Sequence, residues 1–68
     1  MNNELTDFVE AFTKTLNRTP EEFIKGKIAN GSPLNAIESE FNILAATISK
    51  QSEVEFFDFD AFHPNITL

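Results

Sequence analysis

The sequence predicts a mainly α-helical chain. Three helices, at about 4–16, 20–29 and 33–50, are followed by an extended acidic-aromatic segment, with a short strand in it as an option. Three observations carry this expectation. Apolar residues recur at helical spacing in three stretches, Pro-containing cap signals stand at two boundaries, and the helical period stops after Lys50, where Phe and acidic residues begin to alternate.

In the first helix Leu5, Phe8, Val9, Phe12 and Leu16 recur at i, i+3, i+4, i+7 and i+11, with Asp7, Glu10 and Lys14 opposite. Asn2 or Asn3 supplies a cap, and Glu10 and Lys14 are ordered for an i, i+4 pair. The second helix is announced by Thr19-Pro20-Glu21-Glu22: Thr19 as N-cap, Pro20 in the first turn and Glu22 closing a capping box. Phe23, Ile24 and Ile28 form its apolar side, and Gly26 weakens its interior or lets a neighbouring helix come close. Asn30-Gly31-Ser32-Pro33 is the next boundary, with Gly31 suited to a left-handed position, Ser32 as cap and Pro33 at the first helical position.

The third helix is the one around which the chain is organised. Leu34, Ile37, Phe41, Leu44, Ala45 and Ile48 fall within one arc about 100° wide. The reverse face carries Ala36, Ser39, Ile43, Ala46 and Thr47, and no charged residue occurs from Phe41 to Ser49. A helix facing water normally carries charge there. The expectation is therefore a central helix covered on two sides, by the chain itself or by another.

Residues 53–68, EVEFFDFDAFHPNITL, hold four acids, four Phe and no Lys or Arg. Val54 and Phe56 alternate with Glu53 and Glu55 as a strand would, and Phe57 and Phe59 continue in the opposite phase. His63 precedes Pro64 and is biased to an extended conformation. The expected organisation is a helical domain over 1–52 and a C-terminal segment over 53–68 that packs on the core or on a partner. The helical part is expected to hold its fold when the segment is removed.

With 68 residues and no Cys, the chain is one small domain without disulfide or thiolate metal support. A net charge of −6 and five scattered Lys and Arg disfavour direct nucleic-acid binding and anionic membranes. No apolar run is long enough to span a bilayer, and the N-terminus lacks the basic and apolar regions of a signal peptide, so residence in the cytoplasm is expected.

No arrangement of residues signals catalysis, a cofactor or a metal. His63 with Ser52 and an acid lacks any nucleophile motif. Glu53, Glu55, Asp58 and Asp60 alternate with Phe and lack the Gly-containing turn of a calcium loop. The three Asn-x-Ser/Thr matches, at Asn17, Asn30 and Asn65, read as chance. The second and third helices could form a helix-turn-helix, but Glu38 and Glu40 on the reading turn would repel phosphate.

The expected function is a non-enzymatic protein-interaction module: an inhibitor, adaptor or assembly factor, of the small acidic kind that bacteriophages encode. A helix-turn-helix DNA-binding regulator is the alternative. The expected partner-binding residues are Ile43 on the third helix and Glu53, Glu55, Phe56, Phe57, Asp58, Phe59, Asp60 and Phe62 in the tail. Phe anchors would enter a basic or apolar groove on a protein partner while the acids steer the approach. Pairing through Ile43 would make the chain a homodimer.

Overall fold

The computed structural model describes residues 3–62. The readings made for Asn2, for His63 ahead of Pro64, and for Asn65-Ile66-Thr67 lie outside the described residues. Among these residues three helices form, α1 (Glu4–Leu16), α2 (Pro20–Ala29) and α3 (Leu34–Ser52), followed by a 3-10 turn at Phe59–Ala61.

Local chemistry sets each boundary. Asn3 caps α1, its side-chain oxygen accepting from the Thr6 N–H at 3.1 Å. Asn17 ends α1 in the left-handed region at φ 63°, which Asn tolerates better than most residues. At α2 the expected capping box is complete: the Glu22 N–H donates to Thr19 Oγ1 at 3.1 Å, and the Thr19 N–H donates to Glu22 Oε1 at 2.9 Å. The end of α2 is a Schellman turn. Gly31 sits at φ 84°, its N–H bonds the Ile28 carbonyl and the Ser32 N–H bonds the Lys27 carbonyl.

α3 begins one residue later than expected and runs two residues further. Pro33 is its N-cap rather than its first helical residue, Ser32 makes no cap bond there, and the Asn35 side chain instead accepts from the Ala36 N–H at 2.9 Å. At the far end Glu53 takes the left-handed region at φ 55° and turns the chain back. The Ser49 hydroxyl then donates to the Val54 carbonyl, and the Val54 N–H donates to the Ser49 carbonyl.

No strand forms among the described residues; the optional strand is replaced by an irregular strap over 53–58 and the 3-10 turn. The physical reason is that three helices present no sheet edge to pair with, whereas Phe57, Phe59 and Phe62 find apolar partners on α1 and α3. Phe59 and Phe62 are each 4% exposed and belong to the same core as Phe8, Phe12, Phe23, Ile24, Ile37, Phe41, Ala45 and Ile48. Packing therefore runs across Ser52 without a break, and the described part of the tail lies on the helices.

The core is an aromatic cluster. Phe12 stacks on Phe41 with ring centroids 5.5 Å apart, Phe8 stacks on Phe62 at 5.8 Å, and Phe41 meets Phe62 edge-on at 5.6 Å. Phe23 joins through Phe12 at 5.9 Å, and Phe59 through Phe41 at 6.3 Å. Such pairs add roughly 0.5–1.5 kcal/mol each to what area burial provides. Phe41, fully buried in the middle of α3, is the ring on which α1, α2 and the strap converge.

Candidate interaction surface

α3 presents three directions, and two side chains mark their limits. At about 100° per residue, Glu40 and Asn42 lie on opposite flanks of Phe41. On one flank Lys27 Nζ of α2 reaches Glu40 Oε1 at 2.7 Å and also lies 5.5 Å from the Phe23 ring centroid. On the other flank Asn42 Oδ1 accepts from the Phe59 N–H at 2.8 Å, which holds the strap. α1, α2 and the strap thus occupy the Phe41 face and both flanks.

The remaining face of α3 looks outward. Ala36, Ser39, Ile43, Ala46 and Thr47 are all exposed, and Ile43 is 68% exposed. Among the described residues the tail does not cover this face: Phe57, Phe59 and Phe62 are drawn to the Phe8 and Phe41 side. The face is also less polar than its sequence suggests. The Thr47 hydroxyl donates to the Ile43 carbonyl at 3.0 Å, so it is already engaged by its own helix. Charge borders it at two places, Glu40 on one edge, paired with Lys27, and Lys50 at the C-terminal end.

The structure divides the expected tail anchors. Phe57 is half-buried with its ring 5.7 Å from Phe8, and Phe59 and Phe62 are core. Those three are committed to the fold, because their rings complete a core that the helices alone leave open. Phe56 is the anchor left on the surface, 45% exposed. Glu53, Glu55 and Asp60 are exposed and Asp58 is half-buried.

The structure adds a residue that sequence reasoning did not single out. Asn42 positions the strap, and the one signal available was a polar residue standing alone between Phe41 and Ile43. Leu5 and Leu34, expected on the apolar faces of α1 and α3, are instead exposed, because each stands in the first turn of its helix, beyond the end of the core.

Other chemistry finds little support among the described residues. No three His, Asp or Glu side chains gather into a metal-binding group, and no helix is long and apolar enough to cross a membrane. An open groove of about 440 Å³ between α1 and the end of α3 is lined by Asp7, Glu10, Ala11, Lys14, Ser52 and Val54. Its rim is charged and its floor offers only Ala11 and Val54 as apolar contacts, unlike the mostly apolar pockets that hold small ligands. The exposed start of α3 shows Leu34, Asn35, Ala36 and Glu38, with no Lys or Arg for a phosphate.

No family model matches the chain, and neither the curated proteins nor the solved structures include a match to it.

Proposed function

We propose that this chain is a cytoplasmic, non-enzymatic protein–protein interaction module, a small adaptor, inhibitor or assembly factor, that docks through the outer face of α3. The observation that carries this reading is Ile43, 68% exposed at the centre of a helix stretch, Phe41 to Ser49, that holds no charged residue. A monomer gains nothing by holding a β-branched apolar side chain in water among Ala, Ser and Thr. Burying it against a partner removes apolar area at about 25 cal/mol per Å². Phe56 with Glu53, Glu55 and Asp60 forms a second patch, an exposed ring among acids, suited to the basic rim of a partner's groove.

The test is capture by immobilised wild-type chain, Ile43→Glu and Phe56→Ala, with circular dichroism as the control for folding. The reading expects a protein held by wild type and released by Ile43→Glu while helicity is unchanged. Equal retention by both α3 and Phe56 variants would remove its basis.

A further inference from the structure

We infer that the occupant of the outer face of α3 is a second copy of this chain, its own α3 lying antiparallel on the first. The inference rests on the docking reading just given and names its partner.

Spacing is the first argument. Ala36, Ser39, Ile43, Ala46 and Lys50 follow one another at intervals of three and four, the seam by which one helix packs along another. Three of these five residues are small, which lets two helix axes approach to about 8 Å. The one large apolar member, Ile43, then seats over Ser39 or Ala46 of the other chain. The seam is self-complementary: a bulky residue beside small ones on both helices, as a twofold interface requires.

Charge selects both the partner and the direction. Each chain carries −6, so two copies meet best where acids are sparse, and the middle of this face, from Phe41 to Ser49, carries none. The same absence leaves a basic partner nothing to grip here. Along α3 the charges are unevenly placed: Glu38 and Glu40 in the first half, none from Phe41 to Ser49, then Lys50. Parallel helices would set Lys50 beside Lys50 and Glu40 beside Glu40. Antiparallel helices bring Lys50 toward the acidic half of the neighbour, and the opposed helix dipoles favour the same direction. Because Glu40 is held sideways by Lys27, it flanks the seam and does not obstruct it. One helix pair offers a modest contact, below the roughly 1,000 Å² of durable interfaces, so the dimer is expected to be reversible and concentration-dependent.

Sedimentation equilibrium of the full chain over rising concentration is the direct test, together with single cysteines, which the Cys-free sequence makes unambiguous. The wild type should shift from monomer to dimer. Ile43→Glu, with unchanged circular dichroism, should weaken association at least about tenfold. A short thiol-reactive cross-linker should join two chains at Ile43→Cys but not at Ala36→Cys. With Ile43 near the twofold, the two Ala36 positions lie about 20 Å apart along the axis. Cross-linking at both sites would overturn the antiparallel arrangement. A wild-type chain that stays monomeric would overturn the second copy. If Ile43→Glu nevertheless released a different captured protein, the docking reading would stand with another occupant. If it released none, both readings would fall.

Discussion

The backbone N–H of Phe59 donates to Asn42 Oδ1 across 2.8 Å, joining residues 17 apart in sequence. This bond holds the strap to the flank of α3 at the point where the Phe59 and Phe62 rings turn in toward Phe41. Asn42→Ala removes the acceptor and should cost about 1 kcal/mol of stability. Urea denaturation checks this, with the midpoint falling and the slope unchanged.

Truncation after Ser52 is a stronger test of the same contact. It deletes Phe57, Phe59 and Phe62 together and exposes the faces of Phe8 and Phe41 that they cover. Removing one buried Phe typically costs about 3–5 kcal/mol, comparable to the whole stability of a domain this small. The truncated chain should therefore lose its cooperative unfolding transition, contrary to the expectation drawn from the sequence that 1–52 would stand alone. A sharp thermal transition in the truncated chain would show that the helices suffice.

The helices were legible because their signals are local. Phe8 and Phe12 sit one turn apart, Thr19 and Glu22 close a box within four residues, and Gly31 takes the left-handed turn that its residue type suits. The strap was not legible in the same way. Val54 to Phe59 alternates in two phases, so local pattern cannot say which Phe turns inward; the choice depends on Phe8 and Phe41, far away in sequence. The outer face of α3 is legible only in part. The missing charge marks Ile43 and its small neighbours as a face apart, but local pattern cannot say what meets that face, and among the described residues Ile43 stands 68% exposed.

Gly26 has no close-approach role. A Cβ built at this position of α2 meets no heavy atom within 4 Å. Gly26→Ala should therefore stabilise the protein, by about 0.5–1 kcal/mol, through helix propensity and a less flexible unfolded chain. Gly31→Ala should do the opposite, because φ at that residue is 84°. Thermal denaturation of the two variants beside wild type reads both signs.

Phe41→Ala should be among the most damaging single changes. The ring is fully buried and meets Phe12, Phe23, Phe59 and Phe62. Its loss opens a cavity between all three helices and the strap, at a cost of about 3–5 kcal/mol. Chemical denaturation should find little or no folded protein left at room temperature. A loss below about 1 kcal/mol would mean that the core closes around the gap.

Phe56 and Phe59 separate surface from core within one short segment. Both looked like anchors, three residues apart and flanked by acids. Phe59 is 4% exposed with its ring against Phe41, while Phe56 is 45% exposed. Phe59→Ala should destabilise by several kcal/mol, near the 3–5 kcal/mol typical of a buried Phe. Phe56→Ala should change stability by no more than about 0.5 kcal/mol, as surface substitutions usually do. The pair therefore gives a control that a binding assay needs. If partner capture falls with Phe56→Ala at unchanged stability, the exposed ring contributes to docking directly. If capture falls only with Phe59→Ala, in step with lost helicity, the strap serves the fold and the binding surface is α3 alone.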